Sequence, residues 1–452
     1  MVAAVSSEAK NELIYQVNDK PKPYIALLAA LQHLLAIIVP ILTPGFLICS
    51  AAKLDPQNTT FVLSMSLVIS GIATFVQCKK IGPFGAQLLI VQGTSFNFVG
   101  PLTAGAASMA LAGHSPQQTM ATIFGVVIAG SFIEMLVSRL LPFIRHMITP
   151  LVTGIVVLLI GLSLIKEGLV SMGGGYASMG PQGSFASLQN LCLSFTVFVL
   201  IILFNRAPVA WVRSGAIILA LIIGYCVAAY LGRLNFDAFH QTQLFALPSP
   251  LHFGLSFSWQ IFIPMIVIYL VTSLEAVGDI TATSKISGEP IQGPIWMARI
   301  KGGVLVNGAN SLLAGIFSSF PSSVFAQNNG IIQLTGIASR YIGLWIAALL
   351  LIMGLIPKFA AIIQATPEPV LGGAAIVMFG SVAASGINML STIKLDRRAL
   401  LIIAVSLAVG VGLPQVPAFV SHLPHWFADI LGSGLAAGGI TAIVLNLLLR
   451  EE

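Results

Sequence analysis

The sequence predicts an all-α polytopic membrane protein: 14 transmembrane segments arranged as a 7+7 inverted repeat, with short, broken helices in segments 3 and 10. Three observations lead there. Hydrophobic residues make up 57% of the chain and charged residues only 8%, against about 25% charged in a soluble domain; a soluble fold would leave apolar surface with nothing to cover it. Apolar runs of spanning length recur from one end of the chain to the other. One motif occurs twice, seven segments apart.

The runs, bounded by charges, Pro or Gly, fall at 24–52, 59–78, 86–103, 120–141, 148–166, 186–205, 213–231, 257–280, 300–320, 321–337, 340–357, 369–388, 399–414 and 426–449. A full span takes about 20 apolar residues. Most runs qualify, while the third and tenth are short and interrupted by Gly and polar residues. Residues 1–23 are polar and mixed in charge, without the basic-then-apolar order of a cleaved signal, so the first run is expected to remain as a span. With the N-terminus inside, only Lys53, Lys166, Arg233 and Lys358 of the 21 Lys and Arg fall in outer loops. The others, among them Lys10, Arg139, Arg145, Lys285, Arg340, Arg397 and Arg450, fall inside. That bias orients the protein with both termini cytoplasmic. It also explains the net charge of +6 without a nucleic-acid partner. Cys49, Cys78, Cys192 and Cys226 lack metal or disulfide spacing and read as small core hydrophobes.

The repeated motif is "PLVTGIVVLLIG" (150–161) against "PVLGGAAIVMFG" (369–380). Each reads Pro, three residues, Gly, six residues, Gly. These open segments 5 and 12. Segments 3 and 10, the short broken ones, are also seven apart. Seven is odd, so the two halves enter the membrane from opposite sides. Broken helices at matching positions of inverted repeats are the sequence pointer to a transporter site, since unpaired backbone at membrane depth is tolerated only where it lines protein or a cavity. The amides Gln327, Asn328 and Asn329 are expected at the break in segment 10, facing "VQGTSFNF" (91–98) of segment 3.

Few ionisable residues lie deep. Segment 8 carries Glu275 and Asp279, four apart and so on one helix face. A carboxylate at mid-membrane costs roughly 2.5–3.5 kcal/mol on insertion scales, so the pair needs a polar cavity or backbone donors from the broken helices. His33 in segment 1 reads as an interhelical strut or a proton carrier. Glu134 is expected to snorkel toward, or pair with, Arg139 and Arg145. Asn307 and Asn310 read as helix–helix hydrogen-bonding groups, and Ser95 and Thr94 as backbone caps or ligand readers. Gly173, Gly174 and Gly175 lack the Lys-Ser/Thr of a phosphate loop. His240, His252, His422 and His425 share no metal spacing. The cavity thus offers a carboxylate, a primary amide and free backbone N–H groups at helix N-termini, with no deep Lys or Arg. That chemistry suits a flat, neutral molecule with adjacent donors and acceptors: Glu275 accepts from two N–H groups, Gln327 donates and accepts in one plane, and Phe96 lies against a ring. A nucleobase meets this description. An enzyme does not, for no nucleophile–base pair or metal cluster accompanies the acids.

Four blocks resemble the nucleobase–ascorbate transporter family in order along the chain: "LQHLLAIIVP" (31–40), "TPLVTGIVVLLIGLSLI" (149–165), "LEAVGDITATSKISGEPIQG" (274–293) and "QNNGIIQLTG" (327–336). Within that family the resemblance is to the bacterial xanthine permeases. It implies short strands in segments 3 and 10, and a core domain (24–147 and 257–365) that moves like an elevator against a gate domain (148–256 and 366–452), after a cytoplasmic tail (1–23). It also implies a homodimer through the gate in the bacterial inner membrane, and import of a purine, xanthine first, driven by the proton gradient with no cofactor. Glu275 and Gln327 match the family's substrate-binding carboxylate and amide. Phe96 and Ala326 match positions that touch the base, Asp279 the second essential carboxylate, and Asn328 a position that tunes selectivity. Two positions depart. Asn307 stands where such permeases usually have Asp, which would shift proton coupling onto Asp279, Glu275 or His33. Ser95 stands where several xanthine-selective members have Asn, which would admit a purine with an extra oxygen such as uric acid. Other purines and uracil are the further alternatives. An anion transporter of the same fold is the reading from a different class.

Overall fold

The computed structural model describes residues 13–144, 149–179, 183–209, 212–213, 215–234, 239, 242–391, 393–420, 422–423, 431 and 434–449. Lys10, Arg145, Arg450, His240, His425, the expected domain boundary at 147/148 and most of 426–433 lie outside them. The chain is mostly helical. Its helices are α1 (Pro23–Ala51), α2 (Pro56–Lys79), α3 (Val99–Leu111), α4 (Pro116–Ile144), α5 (Pro150–Gly173), α6 (Leu188–Asn205), α7 (Ala216–Tyr230), α8 (Trp259–Ile286), α9 (Gly293–Ile316), α10 (Gln327–Thr335), α11 (Arg340–Leu355), α12 (Lys358–Gln364), α13 (Glu368–Ser391), α14 (Arg397–Gly412) and α15 (Gly434–Leu448). Among the described residues, two strands, β1 (Gln92–Thr94) and β2 (Ser322–Val324), complete the frame.

The helix starts follow from local chemistry. Proline opens α1, α2, α4 and α5, where its missing N–H costs nothing. Asp55 and Asp396 accept from the N–H groups of Asn58 (3.0 Å) and Ala399 (2.7 Å), capping α2 and α14. Among the described residues, eight helices are long and apolar enough to cross a membrane, nine if α11 and α12, bent by 78°, are one span. The sequence reading ended segment 11 at residue 357 and did not anticipate α12, which Pro357 starts as a separate short helix. Outward faces carry exposed apolar side chains such as Leu136, Phe195, Ile222 and Ile387, as lipid requires. The protein is a multi-pass membrane protein.

Three antiparallel helix pairs frame the molecule, each close enough to require glycine. Along α5 and α13, a Cβ at Gly161 would lie 2.3 Å from Ala383 N, and one at Gly386 would lie 2.4 Å from Leu158 N. Gly71 and Gly354 seat α2 against α11, and Gly308 and Gly315 seat α9 against α4. The repeated Pro–Gly–Gly motif is therefore largely a packing motif, although a Cβ at Gly380 would meet nothing within 4 Å, and packing does not account for that glycine.

Segments 3 and 10 are built alike, as an extended stretch, a three-residue strand and a helix. β1 and β2 pair antiparallel in the register Gln92↔Val324, Gly93↔Ser323, Thr94↔Ser322. Ser95 N donates to Pro321 O and Phe325 N to Val91 O, closing the ladder at both ends. Buried side chains brace it from behind: Gln77 Nε2 donates to Gln92 Oε1 (3.1 Å), and Gln92 Nε2 and Asn310 Nδ2 both donate to Ser322 Oγ (3.0 and 2.7 Å). Past α10, the segment before α1 is tied to the chain leading into α11, with Ile14 N on Gly336 O, Ala338 N on Tyr15 O and Arg340 N on Val17 O.

Candidate substrate site

The strand pair brings the start of α10 and the turn Phe96–Phe98 that leads into α3 beside the middle of α8. A helix start leaves backbone N–H groups without intrahelical partners. Those of Phe96, Ala326 and Gln327 make no hydrogen bond to the protein, and α10 has no side-chain cap. Two helix N-termini therefore present donors and partial positive charge to one place.

Across from them, Asn97 Nδ2 donates to Glu275 Oε2 (2.6 Å) and reaches Thr272 Oγ1 (3.0 Å). Asn97 and Thr272 are fully buried, whereas Glu275 is only partly so. Among the described residues, Glu275 Oε1 has no partner, and it is not fully buried. Gln327 is also only partly buried, and its amide makes no hydrogen bond among the described residues. A carboxylate oxygen and a primary amide are thus both uncommitted where α8 meets the start of α10. Phe96 sits edge-on to Phe379 of α13, with ring centroids 5.4 Å apart.

The remaining expected site residues fall into two groups. Asp279 lies one turn beyond Glu275, with Oδ2 buried and unpartnered. Thr283 Oγ1 donates to the Asp279 carbonyl (2.8 Å) and also lies 2.6 Å from Asn329 Oδ1, which joins α8 to α10. Ala326 is partly accessible at the break. Ser95, Asn328, His33 and Asn307 are sealed inside. The Ser95 hydroxyl accepts from Asn97 N (3.3 Å) and caps the Phe96–Phe98 turn. Asn328 Nδ2 donates to Leu89 O (2.6 Å), fastening α10 to the stretch before β1. The His33 ring interacts with Asn328, but neither of its nitrogens forms a hydrogen bond, nor does either polar atom of the Asn307 side chain.

The profile of the Permease family (Xan_ur_permease) matches residues 25–419. The xanthine permease XanP of Escherichia coli K12 is 48% identical over 449 residues, 99% of this chain and 97% of that one. The chain belongs to the nucleobase–ascorbate transporter family. XanQ of the same organism is 40% identical over 443 residues, covering 98% and 95%. The uric acid permease PucJ of Bacillus subtilis is 33% identical over 431 residues, covering 95% and 93%. As a member of this family the protein is a nucleobase-type permease and not an enzyme. The family's fold extends further: the transmembrane domain of the cyanobacterial bicarbonate transporter BicA superposes with a TM-score of 0.60 at 16% identity, covering 95% of this chain and 99% of that one. The murine anion transporter Slc26a9 superposes with a TM-score of 0.62 at 12% identity, covering 95% and 69%.

Within this family frame, sequence reasoning overlooked Asn97 and misplaced Glu134. Asn97 follows Phe96 inside the broken segment, and a polar side chain at that depth was the available signal. Glu134 neither snorkels nor pairs with Arg139: it is 0% exposed and accepts from Ser311 Oγ of α9 (3.3 Å). Helix position alone does not reveal which face a residue occupies. An apolar groove of about 600 Å³ lined by Ala404, Ala408, Val409 and Phe419 lies on α14. Its lining residues all have apolar side chains or none, and none of them belongs to the site.

Proposed function

We propose that the protein imports a purine nucleobase, xanthine first, by proton symport across a bacterial inner membrane. The observation that carries this reading is the pairing of uncommitted groups: Glu275 Oε1, fixed in place through Asn97 on Oε2, and the Gln327 amide beside the free N–H groups of Phe96, Ala326 and Gln327. A purine edge with two adjacent N–H groups matches the carboxylate. Its carbonyl and ring nitrogens match the amide and backbone donors. Phe96 supplies the ring contact, Ser95 and Asn328 hold the walls, Asn307 supports the site, and Asp279 and His33 support it or carry the proton. The xanthine permeases among the relatives favour xanthine over uric acid, other purines or uracil.

The reading includes 14 spans in a 7+7 inverted repeat. It is supported by the matched strand–helix construction of segments 3 and 10, and by the way an exchange of halves maps the α2–α11 pair onto α9–α4. Segments 1–4 and 8–11 form a core that moves like an elevator against a gate of segments 5–7 and 12–14. The gate joins two copies, and both termini face the cytoplasm. The proton gradient drives the cycle without a cofactor, since one charge crossing 100 mV is worth about 2.3 kcal/mol. The bicarbonate and anion transporters share the fold, but the site chemistry opposes an anion: Glu275 brings an uncommitted carboxylate oxygen, Asp279 stands one turn further along α8, and none of the described side chains assembled there is cationic.

The test is uptake of radiolabelled xanthine into cells expressing the protein, with and without a protonophore, against unlabelled uric acid, hypoxanthine, guanine and uracil. Protonophore-sensitive uptake blocked best by xanthine is expected. Absence of xanthine uptake by correctly inserted protein would refute the xanthine assignment, and uptake indifferent to the protonophore would refute symport.

A further inference from the structure

Behind the substrate site lies a second acid that the reading above does not use. Glu134 of α4 is sealed from solvent. Its Oε2 accepts one hydrogen bond, 3.3 Å long, from Ser311 Oγ, and its Oε1 has no partner. Ser311 Oγ in turn accepts from Ser322 N, the first N–H of β2, at 3.3 Å. The carboxyl group is therefore linked through one hydroxyl to the strand that leads into the helix break and Gln327.

Among the described residues, the surroundings supply no counter-ion. α4 packs against α3, α8 and α9. α3 contributes no titratable group. From α8, Tyr269 and Glu275 are within electrostatic reach of Glu134, and Tyr269 Oη donates to Val127 O (3.0 Å). On α9, the turn that faces Ser131 and Met135 carries Asn307 and Ser311, which are neutral. Lys301 of α9 lies about 15 Å along the axis from Ser311, and Arg299 is engaged by Glu289 at 2.8 Å. On α4 itself, Arg139 is exposed on another face. An ionised carboxylate held so poorly is costly, and a proton on Oε1 removes the cost. Buried intramembrane acids of this kind mark proton relays or transport pathways by default.

We propose that Glu134 is a proton-holding residue of the transport cycle, binding the transported proton on Oε1 and relaying its state through Ser311 to β2 and the substrate site. This rests on the proton-symport reading. The step is a simple exchange: the carboxylate gains one proton on Oε1 when the site loads and returns it on the other side. Ser311 continues to donate to Oε2, and no other bond changes. Asn307, beside Ser311 on the α9 face packed against α4, is an amide that does not titrate, and Glu134 supplies the titratable group there.

Purified protein in proteoliposomes with an entrapped pH indicator tests this by two readouts: xanthine-driven internal acidification, and xanthine exchange, which needs no net proton movement. Wild-type protein is expected to do both. Glu134→Gln is expected to keep exchange and lose acidification, and Glu134→Asp to keep both. Acidification by Glu134→Gln at the wild-type ratio to exchange would overturn the proposal. So would loss of exchange in both variants, which would mark a packing role. Exchange without acidification in the wild type would instead overturn the symport reading, before any variant is compared.

Discussion

Glu275 divides its two oxygens between the scaffold and the cavity. Asn97 fixes one at 2.6 Å, and the other is open to the ligand. Removing Asn97 frees the carboxylate to turn and leaves it without its buried donor, a loss of about 1–3 kcal/mol. Asn97→Ala is therefore expected to raise the xanthine KM about tenfold or more in uptake assays. Asn97→Asp is expected to do worse, because it places a like charge against Glu275. Equal KM values for wild type and both variants would show that Asn97 does not hold the site. At this scale the sequence marks where a polar type stands out against an apolar run, as at Glu275, Asp279 and Gln327. It was not readable where the decisive fact is orientation. Asn328 turns inward to Leu89 O and Ser95 to Asn97 N, and Glu134 meets Ser311 of α9 and not Arg139. The same side chain could serve either alternative, and only the packed helices choose between them.

At the scale of elements, the glycine motif that marks segments 5 and 12 earns its place by close approach. Gly161 has no room for a Cβ against Ala383, whereas Gly380 faces open space. Gly161→Leu is expected to destabilise the protein by about 1–3 kcal/mol or more through overpacking, read as a lower melting temperature in detergent, while Gly380→Leu leaves it near wild type. A comparable drop for both would mean that the α5–α13 contact is not what the motif protects. The broken segments were legible because Gly and amides interrupt short apolar runs, and the short strands in them followed from the family resemblance; their antiparallel pairing is a finding of the structure. Two features escaped. The helical part of segment 3 runs to Leu111, past the expected end at 103, and α12 forms between Pro357 and Pro367. In segment 3, small and apolar residues continue past 103 without a charge to mark the edge, whereas α12 opens on Pro357 and Lys358, which read as the end of a span.

At the scale of the whole molecule, the proposed elevator makes the core slide past the gate, so contacts between them must break in each cycle. Two are at hand: Phe96 against Phe379, and the Ser50 hydroxyl of α1 on the Glu368 carboxylate of α13. Cysteines at Ser50 and Glu368, in a background with the exposed Cys192 and Cys226 replaced, are expected to abolish uptake when joined by a short bifunctional reagent and to restore it on cleavage. Full uptake by the joined protein would argue against the elevator. The site itself is tested most directly by titrating purified protein with xanthine in a calorimeter, for wild type, Glu275→Gln and Gln327→Ala. The two substitutions each remove a hydrogen-bonding group that the account assigns to the purine, one of them charged, and each is expected to weaken binding about 10–100-fold. Wild-type affinity in both variants would contradict the account, because the purine would then be held somewhere other than the break between α8 and α10.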